Sequence, residues 1–175
     1  MDLETFLRLV RNSTQQRVLF HFTDTRNLPS IRQHGLLSVQ QLVKLGVRPV
    51  APGGNAWSRD ADQNSGMDAY VHLCFMKGHP MEYCARQDGR IVDVRYLWIT
   101  PEVLALPGVM ITDDVANQAG VCPGPAGEML DRLDLEVMYR RTDWQDSVVK
   151  ERLLAARRCE ILVPDSVPVQ YIRNF

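Results

Sequence analysis

The chain has 175 residues, of which 45% are hydrophobic and 23% charged, enough apolar material for a single packed domain over residues 1–175 and too much for a disordered chain. Its 20 lysines and arginines against 21 acids leave a net charge of -1, which excludes a uniformly basic protein that coats nucleic acid but leaves room for a local basic groove. No apolar run approaches the roughly 20 residues of a membrane span, and the charged opening MDLETFLRLVRN lacks a signal-peptide core, so the expected setting is the cytoplasm with no membrane contact.

Leu3, Phe6, Leu7 and Val10 follow the spacing of an amphipathic helix. VLFHF (Val18 to Phe22) reads as a strand, and TRNLPSIRQHG (Thr25 to Gly35) as a helix with Pro29 near its start and Gly35 as a left-handed stop. Ser38 opens another helix, SVQQLVKLG, with Gln41 as its capping-box partner and Gly46 as its end. Residues 47–68 show no periodicity and read as a long loop. AYVHLCF alternates like a strand, HPMEYCARQDG reads as a helix, and RIVDVRYLWI and GVMIT read as strands. PGPAG is a second loop, two helical stretches lie near 126–140 and 145–158, and CEILV and VQYIR close the chain as strands around PDSVP. Strands and helices do not alternate regularly, which favours an α+β domain with a central mixed or antiparallel sheet and flanking helices over a doubly wound parallel sheet. No dinucleotide-binding or P-loop glycine motif follows a strand.

Four cysteines without a C-x-x-C read as buried thiols, and four histidines without metal-ligand spacing imply no metal. On an extended strand His21 and Thr23 point the same way, able to grip a polar ligand or simply to precede a helix cap. The loop residues Asn55, Ser58, Arg59, Asp60, Asp62 and Asn64 offer an arginine fork for phosphates, or a solvated turn. Tyr70, His72 and Cys74 share one strand face, where the Tyr70 ring can stack on a base or fill the core. Glu160 is the one acid in the apolar strand CEILV; on a solvent face it means little, whereas in a cleft desolvation would tune it for catalysis.

In this order HFTDTRNLPSIRQHGLLS, DAYVHLCFMKGHPMEY and the closing LDLEVMYRRTDW with RRCEILVPDSVPVQYI resemble the DarT family of DNA ADP-ribosyltransferase toxins, from about Leu19 to Ile172. The first is similar to the family's H-x-T followed by N-L-x-x-I-x-x-x-G-L, and the second to its D-Y-V block. The resemblance implies an ADP-ribosyltransferase fold, NAD as substrate, no metal, a nucleobase of single-stranded DNA (thymine or guanine) as acceptor, and a DarG-like antitoxin with ADP-ribosyl-hydrolase activity as partner. It implies that Glu160 is catalytic, that His21 and Thr23 hold NAD, and that Asn27, Leu28 and Gly35 shape that pocket with Tyr70 beside it. Arg59 in NAWSRDAD resembles the arginine of a family loop, with Arg48 as its rival. Trp57, Arg140, Arg141, Arg157 and Arg158 are the candidates for contact with the DNA strand, which needs cations and stacking rings. Transfer to RNA or protein, and a catalytically dead binding module, remain the alternatives.

Cleavage of the nicotinamide–ribose bond passes through an oxocarbenium-like state. Glu160 could stabilise its positive charge, bond a ribose hydroxyl, or take the proton lost by the attacking base.

Overall fold

The computed structural model describes the backbone of residues 1–175 and every side chain except those of residues 56–58; the candidate ring of Trp57 lies outside the described residues. The chain opens with α1 (Leu3–Asn12), capped by Asp2, whose carboxylate accepts from the Thr5 N–H at 2.7 Å. Its apolar stripe works as the spacing predicts, with Phe6 and Val10 fully buried. Burying such a phenylalanine contributes about 1.5–3 kcal/mol.

Then come β1 (Leu19–Asp24), α2 (Leu28–His34) after a short 3-10 turn, β2 (Leu36–Leu37) and α3 (Val39–Lys44). A further helix, α4 (Ala56–Ser65), lies inside the stretch expected to be a loop. Its sequence AWSRDADQNS carries no apolar stripe, so periodicity had nothing to detect. The chain continues with β3 (Tyr70–Cys74), α5 (Pro80–Gln87), β4 (Val94–Ile99), β5 (Met110–Thr112), β6 (Gly124–Pro125), α6 (Ala126–Met129) and α7 (Leu135–Tyr139). It ends with α8 (Ser147–Ala156), β7 (Glu160–Pro164) and β8 (Ser166–Val167).

Among the described residues six strands form one sheet in the order β4-β1-β3-β7-β5-β6, every neighbouring pair antiparallel, and β2 pairs with β8 separately. This is the α+β architecture the sequence implied. Leu73, Ile111 and Ile161 point to one face and are fully buried with Phe6 and Phe75.

Several expectations are corrected. The helical stretch near 126–140 is α6, a 3-10 turn and α7, because Asp134 starts a new cap. Within PGPAG, Gly124–Pro125 pairs with β5 as a strand. VQYIR is a 3-10 turn over Val169–Tyr171 after Pro168, touching β4 through the Ile99–Ile172 bridge. The following residues cover the open edge of β4: the Arg173 N–H donates to Trp98 O and the Asn174 side chain to Tyr96 O, both at 2.9 Å. Of the cysteines, Cys74 and Cys159 are buried free thiols, but Cys84 and Cys122 are exposed. No helix among the described residues is long and apolar enough to cross a membrane.

Candidate functional site

The sheet splits where β1 meets β3. The two strands share one residue pair, Phe20 with Cys74. Beyond it the His21 ring closes on the backbone of β3, its Nδ1 donating to the His72 carbonyl at 2.9 Å. A cleft of about 620 Å3 opens along the split, within the range of about 300–1,000 Å3 usual for small-molecule and cofactor sites. Both strands line it, together with α2, α3, α4 and the segment around Ala51.

Glu160 sits at the start of β7, opposite Cys74 on one side and Thr112 on the other. It lines the cleft, and only 5% of its surface is exposed. Oε2 accepts from the Ala116 N–H at 3.1 Å and from His72 Nδ1 at 3.0 Å. Oε1 lies 3.0 Å from His79 Nε2. That approach is off the line a good hydrogen bond needs, so it acts as a contact between the carboxylate charge and the ring's N–H dipole.

Both histidines come from local structure that the sequence displays. His72 alternates with Tyr70 and Cys74 on β3. His79 caps α5 just before Pro80, its Nδ1 accepting from the Met81 N–H at 3.2 Å, which leaves the proton on Nε2 facing the carboxylate. His72 Nε2 stands 3.2 Å from the Met67 carbonyl. A carbonyl and a carboxylate only accept, so both nitrogens of His72 carry protons and the ring is a cation. Burial opposes that charge, but the Glu160 carboxylate outweighs it and lifts the His72 pKa to about 9. The same pair works on Glu160. Burial would raise its pKa, yet the His72 charge and the hydrogen bonds bring it down to about 2. His21 moves the other way: burial first, and the His72 charge, lower it to about 4. A neutral His21 that donates through Nδ1 keeps an acceptor on Nε2.

The other expected residues divide. Thr23, Asn27, Gly35 and Tyr70 line the cleft. Thr23 is buried and its hydroxyl accepts from Asn27 Nδ2 at 3.1 Å. Asn27 also clasps Ala51 in both directions, donating at 2.7 Å and accepting at 3.0 Å, and so fixes the cleft wall. Leu28 is not at the cleft; it packs against the core. Arg59 and Arg48 both line it, and neither forms an ion pair among the described residues.

The late basic residues do not converge. Arg140 and Arg141 line a second cavity with Arg8 beside α1, and no residue of that lining belongs to the cleft. Arg158 is held by Asp114 at 2.6 Å and by Gln118. Arg157 sits against Gly78 with its Nε buried. Proximity in sequence placed these side chains together; a helix end and local acids separate them. Sequence reasoning passed over His79 and Asn117, both at the cleft, named Asp62 only as one polar residue of the loop around Arg59, and read His72 only as a neighbour of Tyr70. Among the described residues no group of three or more His, Cys, Asp or Glu is placed to hold a metal ion.

A family model described as DarT, ssDNA thymidine ADP-ribosyltransferase, matches residues 20–175. The fold is similar to that of Thermus sp. 2.9 DarT in complex with ADP-ribosylated ssDNA, with a TM-score of 0.65 and 19% identity over 88% of this chain and 78% of that one. It is also similar to Thermus sp. 2.9 DarT in complex with NAD+, with a TM-score of 0.59 and 19% identity over 89% and 78% of the two chains. Thermosipho africanus DarTG in complex with ADP-ribose gives a TM-score of 0.67 and 20% identity over 89% of this chain, which spans 42% of that longer protein. A search of the curated proteins finds no match.

Proposed function

The chain belongs to the DarT family of ssDNA thymidine ADP-ribosyltransferases, and on that premise we propose that it transfers ADP-ribose from NAD to a nucleobase of single-stranded DNA, with the cleft as the NAD site and Glu160 as the catalytic carboxylate. The observation that carries this reading is the Glu160 carboxylate itself: ionised, nearly dry, and fixed by two hydrogen bonds and the close His79 contact at a cleft of cofactor size. Such a carboxylate opposes the positive charge that grows on the ribose as nicotinamide leaves. It needs no reorganisation at that moment, because the partners already hold it.

The rest of the lining suits the rest of NAD. Arg48 and Arg59 are cations free to meet a diphosphate. The spare His21 nitrogen suits a ribose hydroxyl, and the Tyr70 ring a flat base. Thymine, the base in the family description, is the first acceptor to test, with guanine the alternative. We place the reaction in the cytoplasm, as the toxin half of a pair with a DarG-like antitoxin that removes ADP-ribose.

The test is mass spectrometry after incubation with NAD and, separately, single-stranded DNA, RNA and protein. DNA should gain one ADP-ribose, and Glu160→Gln should reduce that gain by about 10^3-fold, a magnitude usual for a lost charge-stabilising group. A gain on RNA or protein alone would move the substrate class. Intact NAD in every mixture would leave a binding module.

A further inference from the structure

The attacking base nitrogen must shed a proton, and Glu160 is poorly placed to take it. Its Oε2 already accepts from His72 and the Ala116 N–H at 3.0–3.1 Å, and its Oε1 is covered by the His79 Nε2 at 3.0 Å, which blocks its approach to a base without a good hydrogen bond. His72 cannot accept either, since both its nitrogens hold protons against acceptors. The Nδ1 of His79 is taken by the Met81 N–H and its Nε2 proton faces Glu160.

A second carboxylate lines the same cleft. Asp62, on α4 one turn beyond Arg59, is half-buried, and its Oδ1 accepts from Asn117 Nδ2 at 3.1 Å. Its Oδ2 takes no hydrogen bond among the described residues. We propose that Asp62 is the catalytic base that takes the proton from the attacking nucleobase, leaving Glu160 to stabilise the ribosyl cation alone. The inference rests on the NAD-transfer reading above.

The step balances. The base N–H gives its proton to Asp62 Oδ2, and the nitrogen pair forms the bond to the anomeric carbon of ribose. The bond from that carbon to nicotinamide breaks with its pair, neutral nicotinamide leaves, and Asp62 later releases the proton to water. The surroundings favour this division. Burial holds the Asp62 carboxyl above the usual range, Glu160 and Asp68 add to that, and the His72 charge and the Asn117 hydrogen bond oppose it. Two carboxylates in one cleft, pushed in opposite directions, are the usual mark of separate charge-stabilising and proton-accepting roles. Arg59 on the same helix and Asn117 on the facing loop are the other polar neighbours at this end of the cleft.

The test is single-turnover transfer to an oligonucleotide carrying thymine, comparing the wild-type chain with Asp62→Asn, which keeps an oxygen for Asn117. We expect a loss of about 10^2–10^4-fold, the usual span for general base catalysis, with affinity for unreactive carba-NAD by calorimetry within about threefold. Replacing thymine by 5-fluorouracil, whose N–H is more acidic, should narrow the gap between variant and wild type at least about tenfold, which a merely structural aspartate would not do. The idea is overturned if Asp62→Asn transfers within about threefold of wild type, or if its deficit is equal on both bases. It is also overturned if the fall in rate toward acid pH survives in Asp62→Asn and vanishes in His21→Asn, which would make His21 Nε2 the acceptor. No transfer by the wild-type chain to any nucleic acid would instead remove the NAD-transfer reading.

Discussion

His72 is the residue on which the electrostatics of the cleft turn. Its charge follows from geometry: one nitrogen meets a carboxylate at 3.0 Å and the other a carbonyl at 3.2 Å. The sequence shows His72 on the face of Tyr70, but its charge comes from a residue 88 positions later. No local pattern can carry that information. His72→Gln keeps a donor toward Glu160 and removes the cation. Its transfer rate should fall about 10–100-fold, a span of about 1.4–2.7 kcal/mol in barrier. The raised pKa sets the sign of the pH effect. The cation is present below the folded value and is lost as pH rises through about 9. Wild-type transfer should therefore decline above pH 9, where His72→Gln should show no matching decline; rates measured across that range check both. Asp24 shows the structural counterpart of such a site. Fully buried at the end of β1, it accepts from the N–H groups of Arg26, Val92 and Asp93 and from the Arg26 guanidinium. Every lone pair faces a donor, so it organises a turn and performs no chemistry.

At the scale of elements, the cleft wall depends on how α2 stops. Gly35 has φ +74°, and a Cβ there would meet the Val167 carbonyl oxygen at 2.4 Å. The glycine therefore both tolerates the left-handed turn and lets β2 approach β8. Gly35→Ala should destabilise the fold by about 2–4 kcal/mol, combining backbone strain with overpacking. Because Gly35, Leu36 and Leu37 line the cleft, KM for NAD should rise as well; a denaturant midpoint and a substrate titration measure the two effects. The neighbouring α3 shows how a local motif is redirected. The Ser38 hydroxyl accepts from the Gln41 N–H at 3.2 Å, as the capping pattern requires. The Gln41 side chain, however, donates to Asp165 at 2.9 Å, and the Ser38 N–H to the Asp165 carbonyl. Half the capping box serves the helix and half ties it to the turn between β7 and β8. The helix α4 was illegible for a different reason: a mostly polar stretch without an apolar stripe gives no period to read.

For the molecule as a whole, stability should peak between the titrations of the buried groups. His21 has a lowered pKa, so the unfolded chain binds its proton first, and stability falls as pH drops from about 6.5 toward 4. Glu160, also lowered, contributes fully above its ordinary value of 4.5, and that contribution is lost as pH falls through about 2. His72, raised, contributes fully below 6.5 and loses its share as pH rises through about 9. The melting temperature should therefore decline on both sides of near-neutral pH, and a flat profile from pH 4 to 9 would contradict the buried pair. The amphipathic first helix, the apolar strands and the stops at Gly35 and Gly46 follow from residues adjacent in the chain, because periodicity and turn chemistry are local properties. The ordered segments around His21, Tyr70 and Glu160 likewise carry the family resemblance. The position of the cleft does not follow from any of these. It exists because β1 and β3 part after a single shared pair, and because a loop amide and two histidines meet one carboxylate in its depth. The dispersal of the late arginines has the same origin: charge is inherited from the chain, whereas its neighbours, and hence its work, are assigned by packing.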